Sequence, residues 1–312
     1  MYSHFLLPRE ETLGVIPPPR GVIPNFVNPI SLAHIVLIAN VCFPFASALF
    51  VTLRLYTTGF ITRTVGADDY ILVLSWFLAC VASSTNSLLT RYGLGRHLWD
   101  VPFSMYNPKF LKCAVIWRTF YYLSLMFSKL SILALYCRYL PKKLNKAIAA
   151  TVVVVILYSL IASFQWLFAC HPIEKYWDLR ITSGSCVDRA KVNIFIGSMN
   201  TATDIVILLL PVAMLRNVQL PRREKIGVVL ALMTGGFVLI VSVIRLKTTV
   251  NTAASRDLTW NWVHNGVWWI VEMHTAIICA CLPVGRAFLR KHVPTVVGYN
   301  FHTRGQGLPD DA

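Results

Sequence analysis

The sequence predicts an all-α membrane protein, a seven-transmembrane-helix bundle with its N-terminus outside and its C-terminus in the cytoplasm. Three observations carry that prediction. The composition is 56% hydrophobic and only 14% charged at a mean hydropathy of +0.59, seven apolar stretches are long enough to cross a bilayer, and basic residues crowd two of the connections between them. A soluble domain carries roughly 25% charged residues, so most of the surface of this 312-residue chain must meet something other than water. The same figures exclude disorder, collagen-like repeats, coiled coil and a small disulfide scaffold, each of which needs more charge, a period or denser cysteines.

Residues 1–29 read as a Pro-rich extramembrane tail, with the run Pro17, Pro18, Pro19 and no basic segment followed by an apolar one, so a cleavable signal peptide is not expected. Residues 30–290 form the seven-helix membrane domain. A bilayer core about 30 Å thick takes roughly 20 apolar residues per helix. The stretches that satisfy this run near Leu32 to Leu53, Tyr70 to Thr90, Leu111 to Tyr136, Ala147 to Cys170, Val192 to Leu215, Ile226 to Leu246 and Gly266 to Leu289. The third is the least apolar, because it holds Arg118 and Lys129. Residues 291–312 read as a short cytoplasmic tail.

Orientation follows from the basic residues. With the N-terminus outside, 14 of them fall on the inner side, 12 on the outer side and three (Arg118, Lys129, Arg245) within spans. The count decides little, whereas density decides more. Arg138, Lys142, Lys143 and Lys146 crowd the third connection, and Arg216, Arg222, Arg223 and Lys225 crowd the fifth. Both therefore read as cytoplasmic. The net charge of +15 then belongs to loops that touch anionic headgroups. The lipid bilayer is the expected partner, and no nucleic-acid partner is expected, since no basic run with interleaved aromatics or zinc-type spacing occurs.

Of the eight cysteines, Cys42, Cys80, Cys137, Cys279 and Cys281 lie in or at the ends of spans, where Cys packs as a small apolar residue. Cys137, beside Arg138, is also a candidate for palmitoylation. The fourth connection carries Cys170 and Cys186, and a bridge between them would place that loop on the oxidising side of the membrane. Cys113, at the outer end of the third span, is an alternative partner for either, and spacing does not choose between them. No CxxC or HExxH pattern occurs, so no metal and no cofactor are expected.

A charge at the bilayer centre costs about 2.5–3.5 kcal/mol on insertion scales, so one that is kept faces the bundle interior and a partner. By depth, Lys129 matches Asp204 and Arg245 matches Glu272. Each pair reads either as a two-state lock or relay, or as an internal pair that fixes helix packing. Trp268, Trp269 and His274, near Arg245 and Glu272, suit a small-molecule pocket opening outward. Asp68 and Asp69 open the second span, where carboxylates complement a helix N-terminus, on the same inner side as Arg138. No catalytic set emerges.

Several strings then match a known family. Gly66-Ala67-Asp68-Asp69-Tyr70, Tyr92-Gly93-Leu94-Gly95-Arg96-His97, Lys129-Leu130-Ser131-Ile132-Leu133, Phe168-Ala169-Cys170-His171-Pro172, Asn200 with Asp204, Leu210-Pro211, and Trp269 with Glu272 and Cys281-Leu282-Pro283 resemble the fungal rhodopsin-domain family over residues 30 to 290. The resemblance implies a fungal seven-helix integral membrane protein of G-protein-coupled-receptor type. Some members look like receptors for surface and host sensing. Others are encoded in mycotoxin gene clusters, among them the satratoxin-cluster branch. A retinal Schiff base needs a lysine in the last span, and Gly266 to Leu289 has none, so no chromophore is expected.

The leading functional expectation is a non-enzymatic, receptor-like protein that binds a small or lipophilic ligand outside and couples inside, through the basic connections, to a cytoplasmic G protein. The alternative is a membrane-bound enzyme or accessory factor of fungal secondary metabolism. A prenyltransferase would need paired aspartate motifs for magnesium diphosphate, which Asn200-Thr201-Ala202-Thr203-Asp204 does not supply. A metal-independent cyclase using Asp204 or Glu272 stays open. A transporter is the third class, weakened because seven spans do not divide into equal inverted repeats.

Overall fold

Backbone polar groups inside a bilayer find no water, so each span must satisfy them internally, and a helix does so within one segment. The computed structural model describes residues 14–139, 144–215, 222–253, 255 and 257–292. Within them run α1 (Ala33–Tyr56), α2 (Ala67–Arg91), α3 (Leu111–Tyr139), α4 (Asn145–Phe164), α5 (Arg189–Leu215), α6 (Arg222–Ala253) and α7 (Leu258–His292). Each contains a stretch long and apolar enough to cross a membrane. Lys142, Lys143 and Arg216, on which the orientation partly leans, lie outside the described residues, as do residues 1–13 and the tail from residue 293.

Two helices extend well past their apolar runs on the outer side. α6 continues from Leu246 to Ala253, and α7 begins at Leu258 rather than Gly266. The extensions are polar, and they hold each other: Thr248 and Thr249 donate to Asn265 Oδ1 at 3.0 and 3.1 Å. A hydropathy window misses such a segment because its stability comes from paired polar faces. α4 instead stops at Phe164, short of Cys170, and a tight turn over Gln165–Leu167 follows.

The bundle is organised around α3, which packs against α2, α4 and α7, while α7 also packs on α1 and α6. Small residues allow the α2–α3 approach, as in membrane helix pairs generally. Ser75 and Ser124 each donate to the other's carbonyl oxygen, at 2.8 and 2.9 Å. The buried core combines these helices with Trp117, Tyr121, Tyr122 and Trp269.

An ordered cap closes the outer end. Val15 donates to the carbonyl of Val101, and the Asn25 N–H donates to Asp100 Oδ1 at 2.8 Å, so the residues from 14 onward lie against the α2–α3 connection. Gly93 and Gly95 adopt φ of 115° and 93°, which favour glycine. A Cβ on Gly95 would lie 2.7 Å from the Ala33 nitrogen. Next to them, His97 stacks between Trp99 and Trp260 and contacts Asp257 Oδ2 at 2.6 Å, fastening this connection to the start of α7.

The α4–α5 connection contains β1 (Cys170–His171) antiparallel to β2 (Ser185–Cys186), with Cys170 opposite Cys186 and the two joined by a disulfide. Cys113 stays outside that bridge; it is buried on α3, its thiol 3.6 Å from the Thr85 carbonyl. Asn107 donates to Asp178 and accepts from the Leu179 N–H, tying the same loop to the approach of α3. The Asn107 amide and the Arg180 N–H hold the Asp178 carboxyl below the usual carboxylate range. Cross-linking across 16 residues restricts the open loop by about 3 kcal/mol in the chain-entropy picture. Cys170→Ser is therefore expected to raise amide exchange across residues 170–188 while leaving α1–α3 protected, as read by hydrogen exchange.

Candidate functional site

Helical spacing sets up the interior of the bundle. On α5, Asn193, Gly197, Asn200 and Asp204 recur at intervals of four, three and four, which places them on one face. On α6, Ser242 and Arg245 share a face, and on α7 Glu272 meets both. Lys129 and Tyr121 project from α3 toward this centre.

Lys129 Nζ lies 2.9 Å from Asp204 Oδ1 and also donates toward Asn200 Oδ1, Thr203 Oγ1 and the Tyr158 hydroxyl at 2.8 to 3.1 Å. Arg245 Nε lies 2.6 Å from Glu272 Oε2, both side chains being 1% exposed. The Nε–H is not aligned for a hydrogen bond, so this contact is ionic rather than directional. Tyr121 donates to the same carboxylate oxygen.

Sequence depth alone paired these residues as two independent couples, whereas the structure connects them. Asn200 Nδ2 donates to Glu272 Oε1 at 2.9 Å while its Oδ1 accepts from Lys129. Ser242 Oγ stands 2.7 Å from Asp204 Oδ2 and 2.7 Å from Glu272 Oε1. Five helices, α3, α4 (through Tyr158), α5, α6 and α7, thus share one buried polar network with two cationic and two carboxylate groups. A cavity of about 50 Å³ reaches Lys129 and Asp204 from among Tyr136, Thr234, Cys279 and Pro283 toward the inner side. That is room for a few waters.

Trp269 covers the outer side of the network. Its ring packs on Trp117 and Tyr121 at centroid distances of 5.1 and 4.7 Å, and the Arg245 guanidinium lies 5.6 Å from its centre. Trp268 is half-buried on another face of α7. His274 is fully buried and joins α7 to α1 and α2 through Ser47 Oγ at 2.9 Å and Ser83 Oγ at 3.1 Å. The structure therefore distributes these three residues among different contacts and does not gather them around one outward pocket.

At the inner end, Asp68 and Asp69 meet a partner one residue beyond the first expected span. Arg54, the last-turn arginine of α1, is buried and contacts Asp68, Asp69 Oδ1 at 2.7 Å and the Ala280 carbonyl at 2.5 Å. Arg138 stands farther off, 3.6 Å from Asp68 Oδ1, and donates to the Thr64 carbonyl. Asp69 also accepts from the Gly66 N–H, capping α2. Arg54 thereby links α1, α2 and α7. Among the described residues, no three His, Cys, Asp or Glu side chains converge as metal ligands would.

The residues that sequence reasoning missed are Arg54, Tyr121, Asn200 as a bridge, and Ser242. A signal existed for one of them: the recurrence of Asn193, Gly197, Asn200 and Asp204 along an apolar span marks an interior polar stripe. Ser242 carried none, being one serine in a long apolar helix.

Comparison with known proteins places this architecture. The model of the fungal rhodopsin domain matches residues 53–291. The chain is 25% identical over 265 residues to the polyenoic acids biosynthesis gene cluster protein Ba17b of Metarhizium anisopliae, covering 80% of this chain and 72% of that protein. It is 26% identical over 248 residues to the wortmanamides biosynthesis cluster protein C of Talaromyces wortmannii, covering 76% of this chain and 65% of that one, just under two thirds of the relative's length. It is 22% identical over 279 residues to the receptor GIN3 of Arthrobotrys oligospora, covering 89% and 67%. No solved structure matches it. A match across most of the chain, through all the elements that carry the buried network, settles the family: this multi-pass membrane protein belongs to the fungal rhodopsin domain family.

Proposed function

We propose that the chain is a receptor-like sensor of a small lipophilic molecule, working without retinal, in which the mid-membrane network couples an outer ligand site to the inner face and a cytoplasmic G protein. The observation that supports this most is the Ser242 junction. A serine hydroxyl has one proton to donate, yet Ser242 Oγ stands equally close to the carboxylates of Asp204 and Glu272. Satisfying one leaves the other to Asn200. Two arrangements of nearly equal geometry on α5, α6 and α7 are what a two-state element requires, and a ligand that contacts them unequally shifts the balance. The names of the relatives support both a receptor and a role attached to a biosynthetic cluster. A membrane-bound enzyme or accessory factor is therefore the second reading.

Deletion of the gene in the source fungus, with metabolite and transcript profiling, separates them. A sensor predicts a fall in transcripts of the responding pathway without accumulation of a precursor. One missing product with its precursor accumulating supports chemistry instead. Complementation with Ser242→Ala is expected to restore folded protein at somewhat reduced levels, since one hydrogen bond to a charged group is worth about 1.5–3 kcal/mol and each carboxylate keeps its other partners, while shifting basal transcript output. Unchanged basal output with that variant would reduce the network to a scaffold.

A further inference from the structure

The basic side chains within the bundle divide into two kinds. Arg54, Lys129 and Arg245 each face a carboxylate within 3 Å. Arg118 does not. It lies about two turns into α3, its guanidinium donates to Asn193 Oδ1 at a long 3.3 Å, and its buried Nε has no hydrogen-bond partner. Among the described residues no carboxylate lies within 4 Å of it. A cation kept at that depth calls for a counter-charge.

Arg118 borders a cavity of about 390 Å³ at the outer ends of α3, α4 and α5, beneath the disulfide-closed connection. That volume is in the range of small-molecule sites, about 300–1,000 Å³. A second guanidinium, Arg189, stands at the cavity; it donates to the Tyr176 carbonyl and packs on the Tyr176 ring, again with no carboxylate within 4 Å. The remaining wall is largely apolar, including Leu160, Ile161 and Phe164. Ile161 is 66% exposed on the bilayer-facing side of α4, so the cavity opens toward lipid.

We propose that this cavity binds a lipophilic carboxylic acid, its carboxylate between Arg118 and Arg189 and its chain along Leu160, Ile161 and Phe164, entering laterally from the bilayer. The carboxylate supplies the counter-charge that Arg118 lacks, and the chain fills the apolar wall. This deepens the sensor reading by naming its ligand class, and its test needs no signalling readout. Failure here leaves a sensor of some other ligand, whereas failure of the deletion experiment leaves a binding protein that does not signal.

The test uses the full chain in phosphatidylcholine nanodiscs, with linoleate and its methyl ester as probes. Saturable linoleate binding is expected, with the ester at least about tenfold weaker, because only the ionised headgroup forms charge-assisted hydrogen bonds. Arg118→Gln is expected to weaken linoleate binding by about tenfold or more and to narrow the gap between acid and ester, Arg189 keeping part of it. Should that variant fail to fold, Arg189→Gln and Ile161→Trp decide: the first lowers acid affinity at the mouth, and the second fills the cavity from the lipid side and abolishes binding with both arginines intact. Equal binding of acid and ester by the wild type, or unchanged linoleate binding in Ile161→Trp, overturns the proposal. So does saturation by phosphatidylglycerol in a protein that does not take up linoleate, which would assign the arginines to a lipid headgroup.

Discussion

Alanine in place of Glu272 is expected to cost about 3–5 kcal/mol and to strip most of the mature protein from the membrane. The carboxylate accepts from Tyr121, Asn200 and Ser242 and faces Arg245, at 1% exposure. Its removal leaves a guanidinium at the same burial with no countercharge of its own, takes from Tyr121 its acceptor, and leaves Ser242 and Asn200 with Asp204 alone. The loss approaches the lower end of the stability of a typical domain, about 5–15 kcal/mol. Replacing both partners, Glu272→Leu with Arg245→Met, should be far milder, because the desolvation penalty of the pair disappears with the pair. Detergent-solubilised protein followed by size-exclusion chromatography and thermal unfolding checks the order: double variant above either single variant. A single variant with wild-type yield and melting temperature would show that Glu272 is not held as the network describes. The double variant should fold and yet fail to respond, since the Ser242 junction would have lost one of its two acceptors.

How much of this was legible in the sequence depended on whether a feature is local. Spans follow from runs of apolar residues, so α1, α2 and α3 run close to their expected bounds. The ends of α6 and α7 do not, because Thr248, Thr249 and Asn265 stabilise each other across helices and carry no hydropathy. Lys129, Asp204, Arg245 and Glu272 stood out because a charge in an apolar run is conspicuous. Their joining through Ser242 and Asn200 was invisible, since it depends on how α5 and α6 are rotated. Arg54 was missed for a related reason. An arginine at the end of a span reads as a loop residue, and only the position of α2's first turn shows that its partners draw it inward. Arg118 was conspicuous and unassigned, and what distinguishes it is a missing partner, which no sequence displays.

Arg54 carries the second large effect. Asp68 and Asp69 are adjacent, both nearly fully buried, and held by one guanidinium that also reaches the Ala280 carbonyl. The α2 N-terminus and the more distant Arg138 offset part of their charge, but Arg54→Ala would leave two like charges together out of water, a loss on the order of 3–5 kcal/mol. Arg54→Lys should fall between alanine and wild type, because a point charge cannot span both carboxylates and a carbonyl as a planar fork does. Asp68→Asn added to Arg54→Ala should recover part of the loss by removing one of the uncompensated charges. Arg138→Ala behaves differently. Its side chain is 36% exposed and its contact with Asp68 is 3.6 Å, so the change in stability should be within about 1 kcal/mol. Melting temperatures of the four variants rank them as Arg54→Ala, its double with Asp68→Asn, Arg54→Lys and Arg138→Ala, from least to most stable. If Arg54→Ala melts with wild type, the inner cluster is solvated and cannot be a fixed point against which the helices move. If it collapses while Arg138→Ala holds, Arg54 is the structural anchor of the inner face and Arg138 is the contact free to break when the α3 end moves.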